Sequence, residues 1–176
     1  MKKLFSGIAV ECVKGDISAQ HGITAVVNAA NAWLRPGGGV AGAIHRAAGS
    51  GLAEECQHLA PVKPGQAVIT AGYNLPNEFV IHCLGPVYGH DKPEEKLLAD
   101  CYRNALLLAE QKKIDSVAFP AISTGIFGYP IKPASKTALK TIIDTIPILK
   151  NVRLVRMVLH NDSDLIVFAE TLSEFS

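Results

Sequence analysis

Two asparagines that directly follow an apolar segment are the first residues whose types and spacing suit chemistry. Asn28 and Asn31 are three residues apart with only alanine between them, so they offer amide donors and acceptors at the end of a predicted strand. Asparagine is also common where the backbone turns through the left-handed region. The pair alone therefore leaves two interpretations open, a ligand contact and an ordinary turn.

A run of three glycines, Gly37 to Gly39, precedes a predicted helix that starts at Val40. Residues without side chains let the backbone approach a ligand closely, and their N–H groups together with a helix N-terminus can cradle an anion. A flexible hinge without a ligand is the alternative. The GxxxxGK[ST] motif of P-loop nucleotide triphosphatases is absent, which excludes that class of enzyme.

A second cradle is indicated between Pro120 and Pro130, in a segment that again follows a predicted strand and precedes a helix. The residues of this segment that can contact a phosphate are Ser123, Thr124, Gly125 and Ile126. Phe127 is able to pack against a sugar, although burial in the core is the commoner position of a phenylalanine.

Polar residues also follow the first and the last long strands. Asp16 can accept a hydrogen bond from an exocyclic amine such as that of adenine, and His160 can stack on a base. The alternatives are structural: Asp16 caps a turn, and Asn161 or Asp162 caps the helix that follows.

Other catalytic arrangements are not indicated. His45 and His82 lack metal-ligand spacing, so neither a metal nor a cofactor is predicted. No GxSxG motif occurs, which disfavours a Ser-His-Asp hydrolase. The four cysteines are scattered without a CxxC pair, and they are predicted to be reduced core residues in a cytoplasmic setting.

The elements that must position these segments alternate along the chain. The predicted strands are 8–13, 25–28, 67–71, 79–84, 116–119 and 152–159. The predicted helices are 40–48, one that Pro93 opens and that buries Leu98, Cys101, Ala105 and Leu108, and then 136–145 and 162–172. This alternation predicts an α/β sandwich with a largely parallel sheet, in which ligands lie beyond the carboxyl ends of the strands.

Length and charge narrow the possible partners. The 176 residues predict one domain over 1–176, with a monomer as the expected state. A net charge of +1 is no polybasic footprint, so nucleic acid is not expected as a partner, and an anionic ligand must be held mainly by backbone dipoles. No apolar run approaches the roughly 18 residues of a membrane span, and the basic start lacks the apolar stretch of a signal peptide, so no membrane association is expected.

Taken in order, these segments resemble the macrodomain family over nearly the whole chain. The resemblance rests on 15–17 (GDI), 27–31 (VNAAN), 37–44 (GGGVAGAI) and 119–128 (FPAISTGIFG), with support from 67–70 and 81–86. It implies a three-layer α/β/α sandwich around a mixed, largely parallel sheet. It also implies ADP-ribose as the ligand, because members bind it and many hydrolyse ADP-ribose esters or related adducts.

The resemblance also assigns roles to residues. It implies that Asp16 and Ile17 meet the adenine, that Asn31 binds the distal ribose, and that Asn31 and Gly39 act in catalysis. The further residues that it places against the ligand are Asn28, Gly37, Gly38, Val40, Ala41, Ser123, Thr124, Gly125, Ile126, Phe127 and His160. His160 stands where members often have an aromatic residue.

Ala41 is the departure that matters most. In one branch of hydrolases the corresponding residue is an aspartate proposed to act in catalysis, whereas viral and archaeal members that lack it include hydrolases. We therefore expect a mono-ADP-ribosyl ester hydrolase that acts on acidic side chains of proteins and on O-acetyl-ADP-ribose, with a water positioned by the diphosphate and by backbone near Ala41. A non-catalytic reader of ADP-ribose is the alternative, and phosphatase action on ADP-ribose 1″-phosphate is a possible side activity.

Overall fold

A computed structural model describes all 176 residues, which form one seven-stranded mixed sheet covered by helices on both faces. The strands are β1 (Lys2–Phe5), β2 (Ile8–Lys14), β3 (Ala25–Ala29), β4 (Ala67–Ala71), β5 (Phe79–Cys83), β6 (Ser116–Phe119) and β7 (Leu154–Leu159). The helices are α1 (Gly39–Ala48), α2 (Ser50–Cys56), α3 (Glu94–Gln111), α4 (Ile131–Thr145) and α5 (Asp162–Ser173). Two short 3-10 turns lie at Ile17–Ala19 and Ile146–Ile148.

The strand order across the sheet is β1-β2-β7-β6-β3-β5-β4. The five central strands, β2, β7, β6, β3 and β5, run parallel. Only the two edge strands, β1 and β4, pair antiparallel with their neighbours. The expected three-layer sandwich with a mixed, largely parallel sheet is confirmed.

Alternating side chains divide the interior into two apolar cores. In β3, Ala25 and Val27 face one core whereas Val26 faces the other, and in β6 Val117 and Phe119 alternate with Ala118 in the same way. Because successive side chains of a strand point to opposite faces, strands that are apolar at every position must be covered on both sides. Helices α3, α4 and α5 pack on one face, and α1 and α2 pack on the other.

The predicted apolar face of α3 is confirmed. Leu98, Cys101 and Ala105 are fully buried, and Leu108 packs partly buried against the same core. All four cysteines are free and buried, as expected, and burial raises the pKa of the Cys12 and Cys56 thiols to about 11. No helix has the length and apolarity of a membrane span.

Three elements differ from the sequence prediction. The edge strand β1 and the short helix α2 were not predicted, because neither has a long periodic apolar pattern of its own. Residues Ser6 and Gly7 between β1 and β2 both have positive φ, the backbone of a tight hairpin turn. Helix α4 starts at Ile131 rather than 136, since Pro133 falls in the first turn, where its missing N–H leaves no helical hydrogen bond unmade.

The loop that leads into β7 is held by one carboxylate of α3. Glu110 accepts hydrogen bonds from the backbone N–H of Lys150 (2.8 Å), Asn151 (2.9 Å) and Val152 (3.3 Å), and from the Asn151 side chain (2.6 Å). Partial burial alone would raise the pKa of Glu110, but these donors outweigh it and hold the pKa below its ordinary value.

We expect Glu110→Gln to lower the free energy of unfolding at pH 7 by about 1 kcal/mol at this partly exposed site, because the hydrogen bonds to one oxygen become neutral and those to the other are lost. A carboxylate with a lowered folded pKa stabilises the fold above its unfolded pKa, and this contribution is lost as the pH falls through the folded pKa. Urea unfolding should therefore show a gap between the two proteins at pH 7 that narrows towards about pH 3. Glu174→Gln, at an exposed position in the C-terminal segment, is the control, and a gap independent of pH would contradict this account.

Candidate functional site

The candidate residues gather at one edge of the sheet. Because β2, β7, β6, β3 and β5 are parallel, the loops that follow them all emerge at their carboxyl ends. Three strand spacings separate β2 from β3, so the loops after these two strands lie about 14 Å apart. The site is therefore elongated across the sheet.

Asp16 and His160 lie at one end of this edge, after the neighbouring strands β2 and β7. The Asp16 carboxylate caps the 3-10 turn by accepting from the Ser18 backbone N–H (2.8 Å) and the Ser18 hydroxyl (2.7 Å). These hydrogen bonds lower the pKa of Asp16 and keep it ionised. The structural alternative for Asp16 is thus observed, and the exposed carboxylate still faces solvent beside the buried Ile17 and the exposed His160.

Asn28 lies beneath the site rather than on its surface. Its side chain is 1% exposed, and its amide nitrogen is 3.1 Å from Nδ1 of the buried His82 on the adjacent strand β5. Nε2 of His82 is in turn 2.9 Å from the hydroxyl of Thr70. Burial lowers the pKa of His82 to about 3, so this chain of hydrogen bonds is uncharged at neutral pH.

The Asn28 amide oxygen is buried without a hydrogen-bond partner. Such an atom is costly unless something donates to it. Asn28 therefore has a supporting position, and its one free acceptor lies inside the floor of the site.

Asn31 fastens the loop that leads to the glycines. Its amide nitrogen donates to the carbonyl of Arg35 (2.7 Å), and its amide oxygen accepts from the Arg35 N–H (3.0 Å). A Cβ on Gly37 would lie 3.5 Å from the Asn31 amide nitrogen, so these two residues are neighbours. Each amide atom of Asn31 keeps one further donor or acceptor for a ligand.

The glycine run forms the N-terminus of α1. Gly38 is the N-cap and has no side chain to cap the helix, and Gly39 has φ of +56°, a conformation that favours glycine. The first-turn N–H groups are therefore open to an external acceptor, at the positive end of the helix dipole. All three glycines are exposed, as the predicted anion cradle requires.

Gly42 determines how closely this loop approaches the helix. A Cβ at Gly42 would lie 2.2 Å from the Gly37 carbonyl oxygen, a distance that real structures do not allow. The spacing of Gly37, Gly39 and Gly42 also fits the GxGxxG pattern of dinucleotide-binding folds, but those glycines follow their strand directly. Here residues 30–36 separate β3 from the glycines, so the loop is built differently.

His45 is buried behind the first turn of α1, which agrees with a structural histidine. It lies one helical turn after Ala41, is 6% exposed, and has no hydrogen-bond partner at either ring nitrogen. Burial lowers its pKa, so the imidazole is neutral at pH 7. The four-residue spacing from Ala41 puts both residues on one helix face.

The second loop, between β6 and α4, is anchored from below. Ser123 has φ of +67°, its carbonyl accepts from the Tyr129 N–H (2.9 Å), and its hydroxyl is buried without a partner. A Cβ on Gly85 would lie 2.1 Å from that hydroxyl oxygen. Residue 85, which follows β5, must therefore be glycine for Ser123 to pack against it.

Above this anchor the loop is open. The Thr124 hydroxyl donates to the Ala121 carbonyl (2.7 Å), whereas Gly125 and Ile126 are exposed. Phe127 is half-buried against the core on the α1 and α2 side, so the core interpretation holds for part of its ring.

The site thus has one carboxylate acceptor at one end, two loops of backbone donors in the middle, and one amide at the other end. This arrangement suits an elongated ligand with an exocyclic amine, an anionic centre and a hydroxyl-bearing end. No group of three or more His, Cys, Asp or Glu side chains is placed to hold a metal ion.

Known proteins share this architecture. A Chlorobaculum tepidum macro domain-containing protein is 44% identical over 167 residues, which are 94% of this chain and 96% of that protein. The Oceanobacillus iheyensis macrodomain with ADP superimposes with a TM-score of 0.93 at 42% identity, covering 99% of this chain and 95% of the other. A Trypanosoma brucei macrodomain in complex with ADP-ribose gives a TM-score of 0.84 at 33% identity, covering 93% and 68%.

Two relatives carry names of enzymes. A Salmonella typhimurium protein named O-acetyl-ADP-ribose deacetylase is 48% identical over 142 residues, 78% of this chain and 79% of that protein. A Xenopus laevis protein named ADP-ribose glycohydrolase is 51% identical over 135 residues, which are 76% of this chain but only 32% of that longer protein.

The family model described as Macro domain matches residues 27–138, from β3 into α4. That range contains Asn28 and Asn31, the glycine run and the whole second loop. The matching sequence, fold and site loops establish that this chain belongs to the macro domain family.

Proposed function

We propose that this chain binds ADP-ribose and hydrolyses the ester that joins mono-ADP-ribose to acidic side chains of proteins, with O-acetyl-ADP-ribose as a second substrate. The observation that carries the proposal is the pair of open backbone loops on a protein with net charge +1, because such loops bind a diphosphate without a basic patch. Relatives named ADP-ribose glycohydrolase and O-acetyl-ADP-ribose deacetylase, and a neighbour solved with ADP-ribose, support it.

The ligand would lie across the strand ends. Adenine meets the Asp16 carboxylate, the diphosphate lies between the N-terminus of α1 and the Ser123–Phe127 loop, and the distal ribose reaches Asn31. The span of about 14 Å between the loops after β2 and β3 suits a ligand with a ring at each end of a diphosphate.

The electrostatics of α1 favour the diphosphate. The helix has no acidic residue in its first turn, and its unpaired N–H groups and dipole attract negative charge. Ala41 keeps this end of α1 free of negative charge, since an aspartate at that position would place a carboxylate near the phosphates.

Hydrolysis without a carboxylate at position 41 requires another way to use water. The diphosphate and backbone groups near Ala41 would position the water, and Asn31 would orient the ribose, so that correct geometry lowers the barrier.

A non-catalytic reader is the second candidate, and Ala41 is the observation that favours it. Both candidates use the same binding residues, so they differ only in turnover.

A protein mono-ADP-ribosylated on Glu or Asp, incubated with this chain, should release free ADP-ribose that mass spectrometry detects. Binding of ADP-ribose without release would favour the reader.

We expect Asn31→Ala to lower kcat for ADP-ribose release by about 100-fold, because a misplaced ribose loses the aligned geometry of attack. Saturating substrate separates this effect from weaker binding. Asn74→Ala is the matched control and should keep wild-type turnover. Asn74 is exposed in the loop before β5, at the amino-terminal ends of the parallel strands. Unchanged kcat in Asn31→Ala would refute the orienting role of Asn31.

We expect Ala41→Asp to raise kcat at least about tenfold, because a carboxylate at the first turn of α1 adds a general base beside the water. Ala43→Asp adds the same charge two residues on, where it faces away from position 41, and should not raise the rate. Initial rates with O-acetyl-ADP-ribose measure both variants, and an Ala41→Asp rate at or below wild type would contradict water activation as the limiting step.

A further inference from the structure

A cavity lies outside the proposed ligand cradle, between the loop after β3 and helix α2. It has a volume of about 400 Å³, within the range of ligand pockets. Trp33, Arg35 and Pro36 form one wall, and Ala53 of α2 and Gln57, which directly follows that helix, form the other. None of these residues belongs to the two backbone loops.

We propose that this cavity seats the acidic polypeptide segment next to the ADP-ribosylated side chain of the target protein. The inference rests on the proposed function, since it concerns the carrier of the ADP-ribose rather than the nucleotide itself. It assigns to Trp33 and Arg35 a role in choosing protein substrates.

Continuity of the chain places the cavity at the distal-ribose end of the proposed ligand. Both hydrogen bonds of the Asn31 amide hold the backbone of Arg35, so the cavity wall is fastened to the residue proposed to bind the distal ribose. A ligand that runs from Asp16 to Asn31 points its far end beyond β3, towards β5 and β4. Helix α2 packs against β4, so the second wall lies on that side.

The carrier protein is attached at that same far end. In an ADP-ribosyl ester, the acidic side chain is joined to the distal ribose, so the polypeptide leaves the site near Asn31. A surface at this exit meets the residues that flank the modified one.

The wall formed by the loop after β3 suits an acidic peptide, since Arg35 is the one charged residue that lines the cavity. Trp33 is 56% exposed, and the Arg35 guanidinium lies 5.7 Å from the centre of its ring. Arg35 forms no salt bridge within the chain, so its charge is available to a carboxylate from outside. Tryptophan and arginine are the residues that most often dominate binding at protein interfaces.

The test compares the affinity for free ADP-ribose with that for a modified peptide. The probe is a peptide with two aspartates on each side of a glutamine that carries ADP-ribose through its amide nitrogen, a linkage that avoids ester cleavage during titration. Calorimetry gives Kd for both ligands with the wild-type chain. We expect the peptide to bind about tenfold more tightly than free ADP-ribose.

Two variants locate the gain. Trp33→Ala and Arg35→Glu should each remove most of the tenfold preference while the Kd of free ADP-ribose changes less than about twofold. Arg35→Glu should also reverse the preference when lysines replace the flanking aspartates. Two control variants should behave as wild type. Ile166→Ala trims an apolar side chain on α5 that is likewise 56% exposed, and Arg153→Glu changes a residue before the amino-terminal end of β7, opposite the ligand site.

The outcomes separate this inference from the proposed function. Equal Kd values for peptide and free ADP-ribose, or an equal loss of both in Trp33→Ala, would overturn the peptide site and leave ADP-ribose binding intact. Failure of the wild-type chain to bind free ADP-ribose would overturn both proposals. A preference that only the two cavity variants lose would establish the peptide site.

Discussion

The parallel pairing of β2, β7, β6, β3 and β5 is the constraint on which the rest of the structure depends. It brings the carboxyl ends of five strands to one edge, so residues as far apart in sequence as Asp16 and His160 become neighbours. The same pairing requires apolar side chains on both faces of the strands, which fixes the two helical layers. One of these layers includes α1, whose N-terminus opens at that edge with no side-chain cap. The shape of the site thus follows from the sheet rather than from any single motif.

Backbone electrostatics suit this chain because it carries almost no net charge. Partial charges of unpaired N–H groups are fixed in direction, so they select an anion by geometry as well as by sign. The positive φ of Gly39 and the close approach of Gly37 to Gly42 are the local requirements for aiming them. A basic patch would attract anions less selectively.

Buried polar groups support the cradle from below. Asn28, His82 and Thr70 form a chain of hydrogen bonds between adjacent strands, and burial keeps the imidazole of His82 neutral. Ser123, packed over Gly85, holds the second loop through its carbonyl, which accepts from the Tyr129 N–H, whereas its buried hydroxyl has no partner. Groups that are costly to bury are tolerated here because they fix the positions of the loops above them.

The sequence by itself determined the local features of this protein. Short apolar runs predicted the central strands, and the periodic face of α3 predicted that helix. The ordered glycine and asparagine motifs predicted the macro domain fold and the edge that carries the site. These features are readable because continuous apolar runs, helical periodicity and glycine-dependent turns depend on neighbouring residues only. Only the tertiary structure decided that Asn28 points into the floor, that His45 lies buried behind Ala41, and that Trp33 faces α2 across a cavity. Each of these depends on partners more than twenty residues away or on burial by a distant element, which no local pattern encodes.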